Sequence, residues 1–359
     1  MGAINDNERP PLYTYLIKYR EIGLLLVLAL LIAAVGLRNP LFVRPANLLF
    51  IIEDTATLAI LASGMLCVLL VGSIDISISA IMALSAMVTG VVMRQYLASV
   101  NAPAIVDGVD KMTTMRTSVP IGVLFLISVG VGAGIGAING TLIAYGKVLP
   151  IVATLGMQYI VYGVCHIVSH NTAVYRKDMS DVFVQFTRSA PLGINNKTWI
   201  MLAVYLLLFL FVTYMRRGRH LYATGSNREA ARMRGVPVDR TILMAHVIMG
   251  GLAGLAGLLY ASHDTKITQD MAMGYELYVI AACVIGGVAV TGGTGKTAGV
   301  LLGALTIGVI NNGLTMLRLT GSSEFWKKAI QGSLILIAVV SNVALQRVTL
   351  RQNLRRRHI

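Results

Sequence analysis

Between two apolar blocks lies the stretch Met215–Thr241, M-R-R-G-R-H-L-Y-A-T-G-S-N-R-E-A-A-R-M-R-G-V-P-V-D-R-T. It carries its own punctuation. Ser226 can cap a helix start, and Glu229, three residues on, can reach back to it as a capping box. Gly235 suits a left-handed stop, and Pro237 forbids continuation. The predicted helix covers Asn227 to Arg234, about two turns, too short to be stable alone in water. Such a helix persists only where something holds it. Its flanks are apolar enough for a membrane, so two readings stand side by side. One is a docking helix on the inner face; the other is a basic loop obeying the positive-inside rule.

Composition carries the membrane reading outward. The 359 residues are 56% hydrophobic and 13% charged, against about 25% charged for a soluble domain. Apolar blocks recur along the whole length, and the 36 glycines are not in collagen register. The expectation is an all-α polytopic membrane protein. A barrel is disfavoured because the apolar runs are continuous, not alternating. The formal net charge of +14 does not point to nucleic acid. The cations cluster at the ends of apolar segments, where orientation in a membrane accounts for them. Cys67, Cys165 and Cys283 stand singly inside apolar segments and form neither a metal pattern nor a disulfide framework. Ile22 to Leu37 could pass for a signal-peptide core. Ala33-Ala34-Val35 is a poor cleavage site and more spans follow, so an uncleaved first helix is expected.

Ten apolar blocks can be drawn: 22–38, 48–72, 76–96, 119–146, 150–170, 198–215, 241–262, 274–290, 295–317 and 328–346. Starting inside and alternating ten times puts more than half of the 30 Lys and Arg residues on one side, with the 216–240 loop and both termini, as the positive-inside rule requires. The division is a cytoplasmic N-terminal segment 1–21, a transmembrane domain 22–346 with the 216–240 loop inside, and a basic cytoplasmic tail 347–359. Pro45-Ala46-Asn47 looks like the start of a helix. The outside loops 97–118 and 171–197 are long and polar, suited to an external partner or to simple connection.

Gly132-x-x-x-Gly136 and Gly299-x-x-x-Gly303 are small-residue spacings that bring helix backbones together. Each glycine-rich run ends in asparagine and glycine, Asn139-Gly140 and Asn311-Asn312-Gly313, a hint of a duplicated unit.

Gly72-Ser73-Ile74-Asp75-Ile76-Ser77-Ile78-Ser79 places a carboxylate between two spans. An ionisable group at membrane depth is costly and is a functional candidate. Irregular backbone there must be buried in protein or line a cavity. Asp75 therefore either lines a solute path or pins a broken helix. Thr291-Gly292-Gly293-Thr294-Gly295-Lys296-Thr297 is not a phosphate loop: position 290, where the first glycine should stand, is Val290. It reads as a tight turn between spans, with no nucleotide bound by this chain. His166, His170, His246 and His263 form no catalytic or metal pattern. Gln158, Tyr159, Tyr162 and Glu276 are polar groups in or beside spans that either face a hydroxylated solute or join helices.

At these residues the sequence resembles the membrane permease subunits of bacterial ABC importers for monosaccharides, the ribose, xylose and galactose group that includes autoinducer-2 importers. The resemblance runs from about residue 48 to 345. The family's G-I-D-L-S-V-G signature is similar to Ser73-Ile74-Asp75-Ile76-Ser77-Ile78-Ser79. Its N-G and P-x-x-x-T-L-G segments resemble Asn139-Gly140 and Pro150 to Gly156. Its A-x-G-x-N-x-x-A-A-x-x-x-G loop matches Ala223, Gly225, Asn227, Ala230, Ala231 and Gly235. Its G-x-E-L-x-x-I-A-A-x-x-x-G-G segment is similar to Gly274 through Gly287. Ser73 and Ser79 depart from the family's glycines, and the 97–118 loop is longer than usual.

The resemblance implies a type II ABC importer fold of about ten helices in a bacterial inner membrane. It implies two permease chains, identical or related, an ATPase pair beneath that uses the ATP, and a periplasmic-type binding protein above. No cofactor and no catalytic set is expected in this chain. Gly225, Asn227, Ala230, Ala231 and Gly235 would form the coupling helix seated on the ATPase. There Arg228, Arg232 and Arg234 would meet carboxylates. Asp75, Ser77, Asn139, Glu276 and Asn312 are the candidates for a solute path or for support of a broken helix. The rival from another class is an ion-coupled secondary carrier or channel using Asp75.

Overall fold

The computed structural model describes residues 20–96, 99–106, 109–116 and 119–317, with isolated helical positions between 329 and 340. Most of segment 1–21, most of the tenth block and the tail 347–359 lie outside the described residues. Within them the chain is mostly helical. The helices are α1 (Arg20–Arg38), α2 (Pro45–Leu70), α3 (Ile78–Tyr96), α4 (Ile121–Ala144), α5 (Pro150–Val168) and α6 (Asp181–Arg188). There follow α7 (Asn196–Tyr214), α8 (Arg216–Ser226), α9 (Arg228–Met233), α10 (Val238–Asp264), α11 (Tyr275–Ile285) and α12 (Thr297–Met316). Eight of these, among the described residues, are long and apolar enough to cross a membrane. They coincide with blocks one to seven and nine of the sequence.

The all-α expectation holds for the spanning part. Two small antiparallel sheets are added. Strands β1 (Ser99–Val106) and β2 (Val109–Arg116) pair as a hairpin inside the long 97–118 loop. Strands β3 (Val174–Tyr175) and β4 (Lys266–Ile267) clip the 171–197 loop to the end of α10.

Helix α2 is the central pillar. Arg44 is extended and Pro45 occupies the first turn, where a missing N–H costs nothing. Every residue from Thr55 to Leu70 is buried, so this helix is apolar all round, as a core helix must be. Its 26 residues span about 39 Å, more than the roughly 30 Å hydrocarbon core.

Between helices in lipid the hydrophobic effect gives no net drive, so association rests on close packing. The glycine spacings supply it. A Cβ at Gly132 would collide with the Gly250 carbonyl, and one at Gly136 with the His246 carbonyl, so α4 and α10 touch backbone to backbone. Gly299 and Gly303 meet Gly286 and Ala282 in the same way, joining α12 to α11. Both sequence spacings are thus helix contacts.

The eighth block behaves differently. It reads as one apolar run, yet α11 stops at Ile285 after 11 residues, about 16 Å or half a span. Gly287, Gly292 and Gly293 then adopt φ of 90°, 94° and 77°, and the chain turns back before α12. A non-glycine residue rarely adopts these angles.

The three cysteines are buried and free, in agreement with a packing role.

Candidate functional site

The basic stretch folds as two helices, not one. Helix α8 fills Arg216–Ser226, ahead of the short helix expected over Asn227 to Arg234. Helix α9 is the expected short helix, trimmed to six residues, Arg228–Met233. Its cap corrects the expectation. Asn227 is the N-cap, and its side-chain oxygen accepts from the Ala230 N–H at 3.0 Å. Ser226 belongs to the end of α8, where its hydroxyl donates to the Tyr222 carbonyl at 2.8 Å. The stop is as read: Gly235 sits at φ 78°. The Gly235 N–H donates to Arg232 O and the Val236 N–H to Ala231 O, at 2.9 and 3.0 Å, a Schellman closure.

The two alanines divide. Ala230 is exposed, while Ala231 is 4% exposed and packs into the chain's own core. The outward face therefore carries Glu229, Ala230, Met233 and Arg234. Met233 is 90% exposed, although nothing in its sequence spacing separates it from a core methionine. The arginines divide too. Arg232 pairs with Asp239 at 2.9 Å, and Lys147 reaches the same carboxylate at 2.7 Å. The Arg228 guanidinium turns away from the outward face and donates to the Val71 carbonyl at 3.2 Å.

Behind this helix pair three chain segments meet at glycines. A Cβ at Gly225 would overlap the Leu70 carbonyl oxygen and crowd the Gly293 amide. One at Gly292 would stand 2.8 Å from the Gly72 nitrogen. The Gly293 N–H donates to Leu70 O at 3.0 Å. The Tyr222 hydroxyl donates to Gly295 O at 3.0 Å. Burial, and after it the nearby Cys67 sulfur, pushes the Tyr222 phenol up, so at neutral pH it remains a donor. Gly225 of the basic segment, Gly72 ahead of Asp75 and the 291–295 turn thus form one junction.

Three residues beyond Gly72, Asp75 is fully buried. Its Oδ1 accepts from the Ser77 N–H at 2.9 Å and from the Ser77 hydroxyl at 2.6 Å. Its Oδ2 faces the Asn139 amide at 3.4 Å, and that amide also donates to Ser77 Oγ at 2.8 Å. The Thr154 hydroxyl oxygen accepts from the Ile76 N–H at 3.1 Å. Asp75, Ser77 and Asn139 are therefore one cluster, in which the carboxylate is taken up by the backbone of the break that starts α3. Asn139 Oδ1 is buried without a partner. Gln158 approaches the cluster's edge, its amide 3.4 Å from Ser79 Oγ. Tyr159, one residue on, is 71% exposed.

The other two candidates lie apart. Glu276 accepts from the Gly274 N–H at 3.2 Å, at the start of α11. Asn312 accepts from the Asn47 amide at 3.1 Å, joining α12 to the first turn of α2, at the opposite end of α2 from Gly72. The paired Asn-Gly signals thus sit in unlike surroundings. At that far end His263 bridges Glu53 and Asp264, at 3.1 and 2.8 Å. Among the described residues no group of His, Cys, Asp and Glu side chains is placed to hold a metal.

Comparison with known proteins adds a family. Residues 47–339 match the model of the branched-chain amino acid transport system / permease component family. The chain is 32% identical over 318 residues to the ribose import permease protein RbsC of Escherichia coli (strain K12), covering 88% of this chain and 91% of that protein. It is 32% identical to the D-allose transport system permease protein AlsC of the same organism, covering 93% and 94%. It is 30% identical to the galactose/methyl galactoside import permease protein MglC there, covering 94% and 97%. No solved structure matches this one.

Proposed function

The chain belongs to the branched-chain amino acid transport system / permease component family, and from that premise we propose that it is the membrane subunit of an ATP-driven importer for a monosaccharide or similar small polyhydroxylated solute. The family name alone would allow amino acids. The relatives that span nearly the whole chain are ribose, allose and galactose permeases, and they favour sugars. The solute crosses the inner membrane between this chain and a second permease, delivered by a periplasmic-type binding protein. ATP is hydrolysed by a separate ATPase pair, and this chain performs no chemistry. Both termini and α8–α9 face the cytoplasm.

The observation that carries the reading is the helix pair at 216–233. Its second helix, α9, is short, is closed at both ends by Asn227 and Gly235, and offers Met233 and Arg234 outward, while the inner side of the pair is packed against the glycine junction. A helix of six residues has little stability of its own, so its order comes from what it joins. A passive basic loop would need neither the cap nor the closure.

The test is reconstitution in proteoliposomes with the cognate ATPase and binding protein. Uptake of a sugar is expected only with all three components and ATP. Uptake by this chain alone, driven by an ion gradient, would overturn the reading.

A further inference from the structure

We propose, on the reading above, that Arg228 and Tyr222 are the transmission residues that carry movement of the α8–α9 pair into the break at Asp75. The last four carbonyls of a helix have no partner inside it. At the end of α2 those of Val68 and Leu69 are closed by the chain's own continuation, from the Ser73 and Gly72 N–H groups at 3.1 and 2.9 Å. The Leu70 carbonyl is closed by Gly293 N–H from the glycine turn, at 3.0 Å. The Val71 carbonyl, next in the chain, is closed by the Arg228 guanidinium at 3.2 Å. The helix that leads into Asp75 is therefore finished from outside, by α9 on one side and by the 291–295 turn on the other.

The charge explains the choice of residue. A cation in the first turn of α9 opposes that helix's own dipole. The same cation lies against the C-terminal end of α2, where a positive charge is favoured. Arg228 gains by reaching inward. Tyr222 makes the second tie, from α8 to the Gly295 carbonyl, just ahead of α12.

There is little slack in the path. Gly225 fits only as glycine against Leu70 and Gly293. Ser73 and Asp75 are buried, with the Asp75 carboxylate fastened to Ser77. A displacement of α8–α9 must either stretch these ties or move residues 71–77 with it. The positions that open or close the cluster of Asp75, Ser77 and Asn139 are then set from the ATPase side.

The experiment uses the full transporter in proteoliposomes, with Arg228→Ala, Arg228→Lys and Tyr222→Phe. The readouts are co-purification of the ATPase, sugar taken up per ATP hydrolysed, and the reaction rate of Ile74→Cys with a water-soluble thiol reagent with and without ATP. Ile74 is half-buried, and Cys67, Cys165 and Cys283 are buried. Arg228→Ala is expected to keep the ATPase and to lower uptake per ATP about tenfold, the size of one lost charge-assisted hydrogen bond. Arg228→Lys should restore most of it. Tyr222→Phe should lower it about fivefold, as for a neutral bond. In both damaging variants the ATP-dependence of Ile74→Cys labelling should shrink in step with the loss of uptake per ATP, which a purely structural role would not predict. If Arg228→Ala fails to accumulate, the near-isosteric Tyr222→Phe decides alone. An unchanged uptake-to-ATP ratio with intact ATP-dependent labelling overturns the proposal. Loss of the ATPase from the Arg228→Ala complex also overturns it, because Arg228 would then be a docking residue. A wild-type complex without ATP-driven uptake sinks the functional reading, and this proposal with it.

Discussion

Gly225 faces the carbonyl oxygen of Leu70 so closely that a methyl group at Gly225 would overlap it, with the Gly293 amide crowding the other flank. The neighbours are backbone, so no side chain can swing aside. Gly225→Ala is expected to cost about 1–3 kcal/mol, as for overpacking of a tight core, and to abolish most uptake at normal membrane levels. Gly156, with nothing within 4 Å, is the control: Gly156→Ala should transport normally. Uptake assays at matched expression check both.

The cap of α9 gives a second expectation. Asn227→Ala removes the acceptor for the Ala230 N–H and should cost about 1 kcal/mol, an approximately fivefold loss of hydrogen-exchange protection across 228–233. Asn227→Ser should retain most of it. Ser226→Ala, which loses only a bond to the Tyr222 carbonyl, should leave that protection nearly unchanged.

Gly235→Pro strikes the other end. It removes the N–H that closes onto Arg232 O and imposes a negative φ where 78° is observed. A carboxylate at Ala231 would be buried among apolar neighbours. Both should leave the protein inserted and stop sugar uptake. Membrane fractionation beside uptake separates loss of insertion from loss of coupling.

The fold shows where sequence was sufficient. Proline and glycine punctuation is local, so Pro45, Gly235 and Pro237 marked helix ends that the structure reproduces. Glycine spacing on one helix face reads as packing, and Gly132 and Gly299 are packed. Three features depend on distant contacts and were not legible. Helix α8 contains two glycines and repeated cations, and Gly218 and Gly225 lie against the Phe211 and Leu70 carbonyls. Ser226 and Asn227 are both good caps, and only the length of α8 decides between them. Arg228 looked like an ATPase contact because its partner, Val71, lies 157 residues away in sequence. Asn312 resembled Asn139 by its neighbours alone and meets Asn47 instead.

Asp75 separates the importer from an ion-coupled carrier. Its Oδ1 already holds two donors from Ser77, an arrangement an asparagine oxygen can keep. Asp75→Asn is expected to retain measurable ATP-driven uptake. Asp75→Ala leaves the Ser77 N–H and hydroxyl without this acceptor and should cost about 1–3 kcal/mol, with a matching loss of thermal stability. A carrier that moves a proton or sodium ion at Asp75 would lose all uptake in Asp75→Asn, so the two accounts part at this substitution.

In the proposed importer α9 meets an ATPase on the cytoplasmic side, and thiol labelling of Met233→Cys tests that most directly. The side chain is 90% exposed, and the native cysteines are buried. With a membrane-impermeant reagent, rapid labelling is expected in inside-out vesicles stripped of ATPase, protection once the ATPase is restored, and none in right-side-out vesicles. Labelling from the outside, or labelling indifferent to the ATPase, would contradict it.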